Sequence, residues 1–204
     1  MAGEILLPVG HDLGAFHPGD GETEPVQQVR LGAQLVELSA TEFHLWSLAH
    51  GLLDESAEHV QPATEATLRG HVDEPDLIRS LVERGLLSVV GPDDFERFAA
   101  THRLLPLALG LGNSEEQPWL FSVGFLHQPL VQMTGALFDM WQWAHLSPNL
   151  WLACRESAAV AARAGIDDVD QTDPARVLAG VFGSLHLLLS TRAACLDLRI
   201  EGLS

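Results

Sequence analysis

The sequence predicts an α+β protein that consists of two tandem copies of one fold, residues 1–98 and 99–204, and we expect the copies to pack as an internal pseudo-dimer. The first observation behind this fold class is an internal repeat. Residues 35–50 and 130–145 align at a constant offset of 95 with six identities in sixteen positions, including the rare Trp and His, where chance gives about one. Shorter matches recur upstream and downstream, and strand-like segments precede helix-like segments. We expect the matched Trp46 and Trp141 to be largely buried.

The first copy carries clear local signals. Ser39 is typical of a helix N-cap, and Glu42 three residues later completes a capping box. Gly85 marks the end of the third helix, whose first position holds Pro75. The predicted elements are, in order, two short strands within 29–38 around a Gly-containing turn, helices at 40–50, 63–72 and 74–84, and a strand at 86–90.

The second copy repeats this plan with longer elements. Thr134 caps the helix that matches 40–50, and Ser147 caps a second helix at 149–165. After the third helix, alternating residues predict a hairpin. Its strands are 185–189 and 195–200, with a turn at 190–193. Between the copies, 93–102 predicts a short helix whose Phe95 and Phe98 pack on one of the copies.

Three helices followed by a strand pair is the order of a winged helix-turn-helix, so we expect two tandem winged-helix-like repeats. The end of the third helix, LVERGLL at 81–87, resembles the corresponding ending in winged-helix transcription regulators. A wider pattern is similar to the small winged-helix peptide chaperones of the pyrroloquinoline-quinone biosynthesis type, whose relatives recognise leader peptides of ribosomally made natural products. It consists of Val36-Glu37-Leu38-Ser39, Phe43, Trp46, His50-Gly51, Asp76, Leu81 and Gly85-Leu86-Leu87. The resemblance implies peptide binding; the second copy departs from it, with Ser184-Leu185-His186 at the last three positions.

The charge distribution argues against a nucleic-acid partner. The chain has 11 Arg, no Lys and 28 Asp and Glu, which gives a net charge of −17, whereas non-specific nucleic-acid affinity comes from cations that displace counterions. The solvent side of the third helix mixes two acids with two arginines in the first copy. In the second copy that side carries Ala179, Gly180 and Gly183, which we expect to let another element approach closely.

No catalytic, metal or cofactor site is predicted. The ten histidines lack His-x3-His spacing, and His50 and His145 are interpreted as packing residues at helix ends. The glycine-rich run 109–114 is interpreted as a loop or turn rather than a phosphate loop. Cys154 and Cys195 form no CxxC pair.

We therefore expect a non-catalytic protein- or peptide-binding adaptor or recognition module of a bacterial pathway, with a neutral or basic partner. The predicted docking groove lies between the third helix of the first copy and the neighbouring strand edge. The residues predicted to contact the partner are Arg79, Glu83 and Arg84, with Trp119 and Trp143 as exposed aromatics. The alternatives are a winged-helix transcription regulator that needs an oligomer or partner to bind DNA, and an enzyme without a recognisable motif.

Localisation and assembly are predicted only in outline. The N-terminus has no signal-peptide pattern and no apolar run is long enough to span a bilayer, so we expect a cytoplasmic protein without membrane contact. The oligomeric state is left open.

Overall fold

The computed structural model describes residues 3–19, 25–52, 60–71 and 75–200. The chain divides into two compact units, Met1–Gly91 and Pro92–Ser204. This division lies seven residues before the boundary expected at 98/99, so the helix expected between the copies belongs to the second unit. None of the helices in the described ranges has the length and apolar content needed to cross a bilayer.

The described part of the first unit combines two small antiparallel sheets with three helices. β1 pairs with β5, and β2, β3 and β4 form a three-stranded meander. The elements are β1 (Ile5–Pro8), β2 (His11–Phe16), β3 (Val26–Leu31), β4 (Gln34–Leu38), α1 (Ala40–Leu48), α2 (Glu65–Arg69), α3 (Pro75–Glu83) and β5 (Leu87–Val90). Residues 72–74 lie outside the described residues. The predicted end of the helix at 63–72 and the predicted start of the helix at 74–84 fall on them.

The second unit has the same order of strands with longer helices. β6 pairs with β10, and β7, β8 and β9 form the meander. The elements are α4 (Phe95–Thr101), β6 (His102–Pro106), β7 (Leu109–Gly112), β8 (Leu120–Phe125), β9 (Gln128–Thr134), α5 (Gly135–Trp143), α6 (Leu150–Arg163), α7 (Val169–Thr172), α8 (Pro174–Ser190) and β10 (Ala194–Leu198). As expected, Phe95 and Phe98 of α4 pack on a copy: both rings contact Phe182 of α8.

Matched tryptophans anchor the helix that follows each meander. Trp46 and Trp141 are 0% and 3% exposed, so their predicted burial is confirmed. The Trp46 indole donates a hydrogen bond to the Val9 carbonyl at 3.3 Å, and the Trp141 indole donates to the Ala193 carbonyl at 2.8 Å. Each bond satisfies a polar group that would otherwise be buried without a partner, and each ties the helix to the end of its unit's two-stranded sheet.

The predicted hairpin at 185–200 is wrong. Residues 185–189 are the last turns of α8, and only Ala194–Leu198 is a strand, which pairs with β6. The reason is the spacing of the buried side chains, which follows one helical stripe and not an alternation of two. This stripe consists of Leu178, Val181, Phe182, Leu185, Leu188 and Leu189. The structure is thus a mixed α/β protein with small antiparallel sheets, and tandem winged helices and a pseudo-dimer stay predictions.

Helix starts agree with the sequence in the first unit and differ in the second. The capping box of Ser39 and Glu42 is confirmed. Thr134 occupies the N-cap of α5 without a side-chain hydrogen bond. The prediction that Ser147 caps the next helix is wrong, because α6 starts at Leu150 and the Asn149 side chain accepts from the Leu152 amide at 2.9 Å.

The interpretation of the glycine-rich run 109–114 as a loop or turn is also corrected, because its first part is strand β7. A register shift next to Gly112 interrupts the pairing with β8, and the same irregularity occurs at Gly14 in β2. Both glycines have positive φ, +79° and +85° respectively, a conformation that other residues rarely adopt. Because the bulge interrupts the alternation of side chains, the sequence pattern does not predict a strand here.

Candidate functional site

Three helices of the second unit enclose an open, mostly apolar groove of about 840 Å³. Its walls are α5, α6 and α8, and the segment after α6 lies at one end. A groove of this size is in the range of ligand and peptide sites. It is therefore the strongest candidate for a functional site among the described residues.

Helix α6 forms the longest wall. The residues that it contributes recur at helical spacing, so they make one stripe along the helix. They are Ala153, Glu156, Ser157, Val160, Ala161 and Ala164. At 1.5 Å of rise per residue, the stripe is about 16 Å long. Most of its side chains are small, which leaves the wall flat.

The corner between α5 and α6 supplies the large exposed side chains. Helix α5 turns Met140 and Trp141 into the core, which leaves Trp143 on another side of the helix, 55% exposed. Leu146, in the short 3₁₀ turn that follows, is 67% exposed. Both line the groove. Apolar side chains clustered at the edge of a groove are typical of an interaction surface.

Helix α8 forms the third wall, and here an expectation from the sequence is corrected. Ala179, Gly180 and Gly183 are exposed, and a Cβ atom at either glycine would meet no described atom within 4 Å. Close packing against this side is therefore not found in the described ranges. The reason is that the buried stripe through Leu178 and Leu185 lies on the opposite side of the helix from Ala179 and Gly183. Gly180 instead lines the groove.

The charged side chains that line the groove are all acidic. The Ser147 hydroxyl donates a hydrogen bond to Glu156 Oε2 at 2.5 Å, which fixes the carboxylate at the α5–α6 corner. Asp139 has no ion-pair partner among the described residues, whereas Asp170 pairs with Arg176 at 2.7 Å. No Arg or His is among the side chains that line the described groove. The groove therefore has a negative potential.

The structure places the predicted contact residues of the first copy on or just beyond α3. The Arg79 guanidinium, on the exposed face, pairs with Asp76 one turn earlier. Glu83 is exposed at the end of α3. Arg84 pairs with Glu42 of α1 and also donates to the Glu37 carbonyl of β4 at 3.0 Å. Two of the three side chains are thus already engaged by groups of their own unit.

The two predicted exposed aromatics lie in different places. Trp143 lines the groove, whereas Trp119 precedes β8, is 64% exposed and does not line the groove. Of the predicted contact residues, the structure brings only Trp143 into the groove. The α6 wall is not predicted from the sequence. Its helical spacing can be read there, but the sequence does not show which stripe of a helix stays exposed to solvent.

The buried cysteine next to this wall is poorly suited to act as a nucleophile. Burial raises the pKa of the Cys154 thiol to about 12, so the thiolate that would attack a substrate is scarce at neutral pH. Among the described residues, no three His, Cys, Asp or Glu side chains are grouped so that they could hold a metal ion.

The groove thus combines mostly apolar walls with two carboxylates that have no ion-pair partner in the described part of the chain and a hydroxyl that orients one of them. Its function has to be inferred from this chemistry, because no protein-family model, curated protein or solved structure matches the chain.

Proposed function

We propose that this protein is a non-catalytic protein- or peptide-binding module, an adaptor or recognition factor, and that the groove of the second unit is its partner site. One observation carries the proposal. An apolar groove of about 840 Å³ opens to solvent, with Trp143 and Leu146 more than half exposed at its corner. Aromatic anchors beside a pocket are the side chains that dominate the energy of protein interfaces.

Burial of the exposed apolar side chains of the groove favours association. Full burial of one large apolar side chain is worth about 1.5–3 kcal/mol. Trp143, Leu146 and Val160 line the groove and are all exposed. Their burial by a partner supplies several kcal/mol against the loss of translational and rotational freedom on binding. The same residues left in water stabilise nothing in the free protein.

The arginines of the first unit support a protein partner over DNA. In a winged-helix regulator, the third helix enters the major groove and its cations contact bases and phosphates. Here Arg79 and Arg84 are paired with Asp76 and Glu42. Binding DNA would break these pairs and bring a chain of net charge −17 against a polyanion.

The finer fold prediction belongs to the same proposal. In each unit the meander is followed by helices and then by one strand that pairs with the first strand of that unit. This order supports two related modules, and the tandem winged-helix arrangement with its resemblance to peptide chaperones remains our proposal for them. Docking at α3 of the first unit stays a prediction, but the groove is the better supported site.

Site-specific photocrosslinking tests the proposed function. We would replace Trp143 with the photoreactive residue p-benzoyl-phenylalanine in the organism that makes the protein, and use the same replacement of Trp119 as a control. We expect a discrete protein or peptide adduct at position 143 that disappears in Gly180→Leu, which fills the groove, and persists in Gly183→Leu. Adducts unaffected by Gly180→Leu, or a salt-sensitive gel shift with genomic DNA below about 1 µM, would contradict the proposal.

A further inference from the structure

We infer the chemical class of the segment that a partner places in the groove, and this inference rests on the proposed function. The groove binds an α-helix that has an apolar stripe and flanking Lys or Arg side chains. Three features of the groove lead to this inference. They are the spacing of its walls, the absence of a free main-chain edge in its described walls, and the sign of its charge.

The first feature is the shape of the walls. Helix α5 contributes Ala136, Leu137, Met140 and Trp143, and α8 contributes Val177, Gly180, Val181 and Ser184. Both sets follow the i, i+3 or i+4, i+7 pattern, as α6 does. Helical ridges pack into the grooves between such rows. The α6 stripe of about 16 Å matches three turns of an incoming helix.

The small side chains of α6 and α8 allow an incoming helix to pack closely against these walls. Ala153, Ser157 and Ala161 face the groove from α6, and Gly180 faces it from α8. A Cβ atom at Gly180 would meet no described atom within 4 Å, so this part of the wall is open. Interaxial distances near 8 Å, the short end of the packed range, become accessible to a helix that presents Leu or Met.

The second feature concerns the main chain of the occupant. The described walls are helical, so their backbone N–H and C=O groups are used within α5, α6 and α8 except at the ends. An extended peptide would meet a strand only at Thr134, the last residue of β9, and would lose hydrogen bonds to water along the helical walls. A helix satisfies its own backbone and needs only side-chain contacts from the groove.

The third feature is charge complementarity. Asp139 and Glu156 line the groove without an ion-pair partner in the described part of the chain, and no described cation lines it. The Ser147 hydroxyl occupies Oε2 of Glu156 and leaves Oε1 to accept from a Lys or Arg. An acidic helix would be repelled by the same groups. The charge therefore selects a basic amphipathic helix.

Synthetic peptides of about 14 residues, long enough for the α6 stripe, test the inference by fluorescence anisotropy. The first carries Leu at i, i+3, i+4 and i+7 with Lys on the flanks. The second replaces Lys with Glu, the third scrambles the Leu positions, and the fourth has the first composition with a central Pro. A short alkylamine serves as a fifth probe, for a small cationic ligand.

We expect the first peptide to bind at least about tenfold more tightly than the others, with an affinity that falls between about 50 and 300 mM salt. The double variant Asp139→Asn/Glu156→Gln should weaken binding by about tenfold and flatten the salt dependence. Gly180→Leu should weaken it by more than tenfold. Gly183→Leu adds the same side chain to the same helix outside the groove and should bind as the wild type does.

Other outcomes overturn the inference and separate it from the proposed function. If the acidic, scrambled or Pro-containing peptide competes equally at a groove sensitive to Gly180→Leu, the partner class is wrong while the binding module stands. Equal binding by the alkylamine would indicate a small-molecule site. A dimer that dissociates in Gly180→Leu would identify a second copy as the occupant. If none of the probes binds, the inference of a helical partner is rejected. The crosslinking at Trp143 is then the remaining test of the proposed function.

Discussion

The Arg84 guanidinium binds the Glu42 carboxylate, which joins the residue after α3 to the first turn of α1. The same guanidinium donates to the Glu37 carbonyl at the end of β4. A single side chain thus connects a helix end, a capping box and a strand. The pair is also less exposed than the neighbouring pair of Arg79 and Asp76.

This connection predicts different roles for two arginines that the sequence placed in one partner surface. Arg84→Ala should lower the free energy of unfolding by about 1–2 kcal/mol, because charge-assisted hydrogen bonds to a partly buried carboxylate are lost. Arg79→Ala should change it by less than about 0.5 kcal/mol, as is typical of exposed pairs. Urea denaturation at neutral pH measures both. Equal losses would show that the link through Arg84 stabilises the folded state no more than the exposed pair of Arg79 and Asp76 does.

The carboxylate of this pair predicts a pH dependence. Burial acts to raise the pKa of Glu42, but hydrogen bonds from Ser39 and the charge of Arg84 outweigh it, so the pKa lies below its usual value of 4.5. A lowered pKa in the folded state means that the stabilisation is complete above about 4.5 and is lost as the pH falls through the folded-state pKa. The stability difference between wild type and Glu42→Gln should therefore shrink from pH 7 to pH 3.

The exposed Glu83 provides the control for this measurement. Glu83→Gln removes a carboxylate from the same unit outside the capping box, and urea titrations at each pH should give it nearly the stability of the wild type. A Glu42→Gln difference that stays constant down to pH 3 would mean that the carboxylate is not stabilised by folding.

A second pH effect comes from His102 in the second unit. Burial lowers its pKa below the usual 6.5, against the opposing effects of the Phe98 carbonyl and the charge of Asp197. Because the folded state resists protonation, stability contributed by the neutral ring is complete above about 6.5 and is lost as the pH falls below it. An NMR titration, assigned with His102→Gln, should give a midpoint below 6.5. A midpoint above 6.5 would show that the charge of Asp197 dominates.

The elements that the sequence predicts correctly depend on local interactions. The capping box of Ser39 and Glu42 involves residues three apart. The two strands around a turn at 29–38 are present as the end of β3 and β4. Burial of Trp46 and Trp141 follows from large apolar groups repeated on a helix face. In each case the pattern that predicts the feature lies within a short segment of the chain.

The elements that it misses depend on contacts that are distant in the sequence. Residues 185–189 satisfy both a strand and a helix pattern, and packing of Leu185 and Leu189 in the core selects the helix. β7 is interrupted by a bulge at Gly112 and is defined by its pairing with β8. The groove was missed for the same reason, since it is formed by the relative placement of α5, α6 and α8.

The burial of both cysteines predicts slow thiol chemistry. With a pKa of about 12 for Cys154, about one molecule in 10,000 carries the thiolate at pH 8. Cys195 is buried as well. Ellman's reagent should therefore label the native protein only at the rate of unfolding, and should titrate both thiols in guanidinium chloride. Stoichiometric labelling of Cys154 in native protein within minutes would contradict the packing of α6.

Two tryptophans two residues apart predict opposite effects on stability and binding. Trp141 is buried and its indole donates to Ala193, whereas Trp143 is 55% exposed and lines the groove. Trp141→Ala should cost about 3–5 kcal/mol, because it leaves a cavity and removes the indole hydrogen bond. Trp143→Ala should cost less than about 1 kcal/mol and yet weaken partner binding, because an aromatic anchor is lost. Thermal or urea denaturation gives the first comparison and crosslinking the second.

Since both changes remove the same side chain from one short segment, a large stability loss in Trp143→Ala would place Trp143 in the core and remove the main argument for the groove.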